Sequence, residues 1–133
     1  MREILFRGKH IHILPQNEHL DGRWIEGYLV DKDYINSPEL EGEFLIDPET
    51  VCQYTGLTDK NGRKIFEGDI VRLTISYVGG AIREYNCKVS FGEFGVLFEN
   101  LKRENDVVKY GEDVGQGDIE VVGNIFDNPK LIG

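Results

Sequence analysis

Apolar and polar positions alternate most clearly between residues 69 and 77. There Val71, Leu73, Ile75 and Tyr77 fall on one side, and Arg72, Thr74 and Ser76 on the other. A period of two puts these sets on opposite faces of a half-buried strand. Val78-Gly79-Gly80-Ala81 supplies a hairpin turn, and residues 83–91 return with Tyr85, Cys87, Val89 and Phe91 toward the core and Glu84, Asn86, Lys88 and Ser90 away from it. Shorter strands are predicted over 3–7, 23–30, 43–46, 50–54, 63–66, 96–100, 107–110 and 119–126, where β-formers are flanked by turn residues. Asp59-Lys60-Asn61-Gly62 reads as a tight turn, because Asn and Gly tolerate positive φ. Gly123-Asn124 interrupts the last strand where a bulge is expected, and Asp127-Asn128-Pro129 closes it. Helical spacing is confined to 96–106, which is short and uncapped. Residues 31–42, polar and broken by Pro38, read as an irregular loop.

Composition strengthens the β reading. One Ala, 13 Ile and 11 Val beside 16 Gly disfavour helix, since β-branched side chains lose rotamers there and Gly costs about 1 kcal/mol per interior site. The expectation is an all-β chain with little helix: one domain over 1–133, built as a small, partly open barrel or as an SH3-like or sandwich arrangement of short antiparallel strands. Closure of the sheet would remove its exposed edges. Apolar residues at 40% and charged residues at 29% exclude a disordered tail. No apolar run approaches the roughly 20 residues of a spanning helix, and the first residues lack the apolar stretch of a signal peptide. No membrane association is therefore expected, and the bacterial cytoplasm is the expected location. Cys52 and Cys87 lie far apart and outside any CxxC pattern, so two buried free thiols are expected rather than zinc or redox chemistry.

The formal net charge is −9, yet residues 60–103 hold eight basic side chains against five acidic ones. A modest basic face using Arg63, Lys64, Arg72 and Lys88 would suit phosphates, although the overall charge repels a polyanion. Tyr77, Tyr85 and Phe91 at alternate positions would suit base stacking, but core packing requires the same spacing. An acidic surface seated in a basic groove of a partner protein suits the charge equally well.

Candidate chemistry is sparse. His10 and His12 flank Ile11, so a strand there projects both imidazoles from one face; they are candidate metal ligands, with solvent-facing histidines on an edge strand as the plainer reading. Glu67/Asp69 and Asp118/Glu120 are spaced for acid and base work, but each pair follows or contains a turn glycine, where carboxylates bond local backbone N–H groups. No GxGxxG, GxxxxGK[ST] or GxSxG pattern occurs, so neither a cofactor nor a catalytic residue is assigned. Gln53, Tyr54, Thr55, Asp59, Lys60 and Asn61 form a polar cluster expected on a loop beside rigid strands, the usual place for binding groups.

Residues 2–7 (REILFR), 50–71 (TVCQYTGLTDKNGRKIFEGDIV) and 119–129 (IEVVGNIFDNP) together resemble the YopX family of bacteriophage and prophage proteins. The three blocks occur in the family's order, and the long middle block is the most specific. The resemblance implies a β-rich phage or prophage protein acting in the bacterial cytoplasm, and it brings no biochemical activity with it. The histidines lie between the blocks and gain nothing from it. The function expected is a non-enzymatic binding or regulatory module that engages a host or phage protein, with self-association. The alternatives are a nucleic-acid-binding barrel and a metal-binding protein or hydrolase using His10 and His12.

Overall fold

The structure is a computed structural model that describes residues 4–11, 22–93, 95–103 and 106–132. The described residues are mostly β and contain no α-helix. They form two antiparallel sheets, neither closed into a barrel. Two compact units, Met1–Tyr54 and Thr55–Gly133, divide the chain.

The first unit holds β1 (Phe6–Lys9), β2 (Trp24–Asp31), β3 (Tyr34–Ser37), β4 (Gly42–Leu45), a 3-10 turn at Pro48–Thr50 and the start of β5 (Cys52–Thr58). The strand order is β4-β3-β2-β1-β5. Its core includes Ile25, Ile35 and Ile46, fully buried, with Phe6, Leu40, Phe44 and Val51 packed against them, and Leu5, Cys52 and Tyr54 are buried as well. The irregular loop expected over 31–42 is in part β3. Each of its residues pairs with β4, and Ile35 and Ser37 face inward, so neighbouring strands order a segment whose own composition is poor in β-formers.

The second unit holds the rest of β5, then β6 (Lys64–Phe66), β7 (Asp69–Ser76), β8 (Ile82–Gly92), β9 (Gly95–Asn100), β10 (Val107–Lys109) and β11 (Ile119–Asn124). Its five-stranded sheet runs β10-β9-β8-β7-β11. The alternation read in residues 69–77 and 83–91 is the observed hairpin, with Ser76 opposite Ile82 and Gly79 and Gly80 both at positive φ in the turn. Val71, Leu73, Cys87, Val89 and Phe98 lie on the inner face beside Ile65, Val114, Ile119 and Val121. The expected interruption at Gly123 is a register shift between Val121 and Gly123. Both cysteines are buried, and they form no disulfide.

Candidate functional site

The polar cluster at 53–61 is not a loop. Gln53, Tyr54 and Thr55 belong to β5, and only Asp59, Lys60 and Asn61 lie in the turn that follows. Tyr54 and Thr55 are buried, and the Thr55 hydroxyl donates to the Ile65 carbonyl at 2.6 Å. Asp59 is 1% exposed. Its Oδ1 accepts from the backbone N–H groups of Asn61 and Arg63, both at 2.9 Å, and its Oδ2 accepts from Val121 N–H at 2.9 Å. Burial pushes this carboxyl up, but the donors at Val121, Arg63 and Asn61, with the Arg63 charge, outweigh it and hold Asp59 below the ordinary carboxylate value. The Asp59 carboxylate that sequence marks for a ligand is thus occupied by the protein's own backbone.

The paired acids behave as the turn reading expects. Asp69 Oδ2 accepts from Phe66 N–H at 2.8 Å, and Asp118 Oδ2 accepts from Gly115 N–H at 2.9 Å. Arg72 and Lys88 project from the polar face of the second sheet into a set of compensating charges. Arg72 lies 3.3 Å from Glu120 and 3.6 Å from Glu84, Lys60 lies 3.9 Å from Glu120, and Lys88 lies 3.6 Å from Glu99. Arg63 and Lys64 stand apart from this face, in the turn and at the start of β6. The expected basic face is therefore a lattice of alternating signs.

His10 is 4% exposed and forms an isolated bridge with Ile46. It directly follows β1, which lies between β2 and β5, and its burial makes the expectation of a solvent-facing histidine on an edge strand incorrect for His10. His10 Nδ1 lies 2.7 Å from the Leu45 carbonyl, the Phe44 ring stands edge-on at 5.6 Å, and Nε2 is buried without a hydrogen-bond partner. His12 lies outside the described residues. Among the described residues no group of three or more His, Cys, Asp or Glu side chains is placed to hold a metal.

Sequence reasoning missed the free end of the β7–β8 hairpin. β8 pairs with β9 from Gly92 back to Cys87, and Asn86 C=O accepts from Leu101 N–H, so, among the described residues, 82–85 extend past β9 with only β7 as a paired strand. There Val78 is fully exposed, Ile82 is 65% exposed and Tyr77 is 44% exposed. Tyr77 and Tyr85 were expected in the core; instead their hydroxyls meet at 2.8 Å at its margin, because the hairpin outruns the strands that would cover it. That hydrogen bond to Tyr85 raises the Tyr77 phenol above its ordinary value. A groove of about 780 Å³ lies along this end, lined by Tyr77, Ala81, Ile82, Arg83, Glu84, Tyr85 and Arg103. The available signal was strand length, since β8 has 11 residues against six in β9.

These two sheets, with carboxylates spent on turns and one hairpin standing free, define a small β-rich protein with a candidate binding end. The model of the YopX family, described as YopX protein, matches residues 13–133, and the chain belongs to that family. A comparison with the curated proteins finds no match. Among the described residues no helix is long and apolar enough to cross a membrane.

Proposed function

We propose that this chain is a non-enzymatic binding module of a phage or prophage, working in the bacterial cytoplasm and engaging a host or phage protein through the free end of the β7–β8 hairpin. The observation that carries the reading is the exposure of Tyr77, Val78 and Ile82 together on a two-stranded projection. Large apolar side chains gathered on an ordered projection favour burial against a partner. The placement of Asp59, Asp69 and Asp118 as backbone acceptors supports a binding role over acid and base chemistry. Self-association belongs to the same proposal, and sedimentation equilibrium tests it: a single monomer mass at all concentrations removes it.

The test of the main reading is capture from host and phage-infected lysates with nuclease present, using the wild type and a Val78→Ser/Ile82→Ser variant. A defined protein retained by the wild type and lost from the variant is expected. A capture pattern that the substitutions leave unchanged, or material that nuclease dissolves, overturns it.

Nucleic-acid binding through Arg63, Lys64, Arg72 and Lys88 draws less support, since Arg72 and Lys88 each face carboxylates. Affinity falling steeply with salt would restore it. The metal reading rests, among the described residues, on His10 Nε2 alone, and metal content that falls on His10→Ala is its test.

A further inference from the structure

Among the described residues the second sheet leaves part of the β8 edge open, while side chains and turns occupy backbone groups on the outer edges of β11 and β10. On β11, Ile119 C=O accepts from Lys60 N–H at 2.9 Å, and Val121 N–H donates to Asp59 Oδ2. On β10, Lys109 N–H donates to Asp113 Oδ2 at 2.9 Å, and Lys109 C=O accepts from Asp113 N–H at 3.0 Å. These contacts occupy the groups that an added strand would need.

No such closure covers β8 between Ile82 and Tyr85 among the described residues. Asn86 C=O accepts from Leu101 N–H at 3.0 Å, so residue 86 faces the β9 side. Antiparallel alternation then directs the N–H and C=O groups of Glu84 and Ile82 to that same side, where β9 has already ended.

The charges beside this edge are uneven. Arg83 and Arg103 line the groove with Glu84, whose carboxylate lies against Arg72, and Lys102 joins Arg103 in the adjoining groove of about 380 Å³. Arg83, Lys102 and Arg103 have no carboxylate partner among the described residues, unlike Lys60, Arg72, Lys88 and Lys109. Cations beside an edge disfavour pairing with the same edge of a second copy, because like charges would meet.

We infer that β8 accepts an added strand from a partner protein: an extended segment whose acidic side chains meet Arg83, Lys102 and Arg103 and whose alternate, apolar side chains cover Ile82 on the opposite face. Backbone hydrogen bonds to Ile82 and Glu84 provide affinity, and the charge selects the partner. This rests on the protein-binding reading above and names the partner's chemistry.

The experiment is selection of a random octapeptide library on the full chain, followed by affinity measurement of the enriched peptides. Enriched sequences are expected to alternate Asp or Glu with apolar residues. Their affinity is expected to fall about tenfold or more in an Arg83→Glu/Arg103→Glu variant, and on N-methylation of alternate peptide bonds. Both arginines are exposed, and circular dichroism confirms that the variant is folded. No enrichment, enrichment without acidic bias, or binding indifferent to charge reversal or to N-methylation overturns the inference. So does an oligothymidylate that binds more tightly than the best peptide and is lost from the charge-reversed protein. If lysate capture still depends on Val78 and Ile82 while the peptides fail, protein binding survives and the acidic strand does not.

Discussion

Asp59 shows how one side chain can look like a binding group and hold a fold together. It sits beside an Asn-Gly turn, and sequence alone assigns it to a polar surface cluster. Its third donor, Val121, is 62 positions away, and no local pattern announces that contact. Asp59→Asn keeps the size but replaces one acceptor oxygen with a donor that faces a backbone N–H. A loss of about 2–4 kcal/mol is expected in urea unfolding at pH 7, because charge-assisted bonds are broken and a buried donor is orphaned. The folded carboxyl titrates below its unfolded value, so its contribution is present above the unfolded value near pH 4 and is lost as pH falls through the folded one. The gap between wild type and Asp59→Asn should therefore narrow in acid; a gap independent of pH contradicts the assignment. Cys87 was legible from alternation alone. Burial, with a smaller push from the Asp106 charge, raises its thiol to about 12, so it stays protonated at neutral pH. Neither Cys87 nor Cys52 should react with a thiol reagent in native protein, and both should react in denaturant; rapid native labelling would refute their burial.

Among the elements, those with their own alternating pattern could be read directly, and those ordered by neighbours could not. The β7–β8 hairpin shows a period of two and carries two turn glycines, so sequence and structure agree nearly residue by residue. β3 has only four residues and holds Asn36 and Ser37, so its pairing with β2 and β4 leaves little local trace. Gly27 in β2 belongs to the same arrangement. A Cβ there would stand 2.0 Å from the Asn36 carbonyl oxygen, a backbone atom that cannot move without parting β2 from β3. Gly27→Ala is expected to destabilise the protein by about 2–3 kcal/mol in chemical denaturation, at the upper end for overpacking. A change near zero would show that the two strands do not approach as described.

At the scale of the molecule, the expected all-β arrangement of short antiparallel strands is observed, and the sheets stay open because their edges are managed by other means than closure. Short turns and the carboxylates of Asp59 and Asp113 occupy edge donors and acceptors locally, so no barrel is needed to protect the second sheet. Sequence carries the turns, but not which distant edge each turn will meet. The two units also differ in what holds them. Among the described residues the cluster of the second unit joins nine buried residues, whereas that of Ile25, Ile35 and Ile46 in the first joins three, with Leu5, Cys52 and Tyr54 buried outside it. Local stability follows buried apolar contact, so the units should open at different free energies. In native-state hydrogen exchange, amides of β7, β8, β9 and β11 around Val71, Cys87, Phe98 and Val121 are expected to exchange most slowly. Those at the far end of β2, where Tyr28, Leu29 and Val30 are exposed, should exchange fastest among the strands that pair on both sides. Amides of Ile82 and Glu84 should exchange quickly as well, since no described residue pairs with that edge, and should slow when an acidic peptide binds. Uniform protection across both units would mean that the size of the buried cluster does not set their stability. Strong protection at Ile82 and Glu84 in the free protein would mean that the β8 edge is not open.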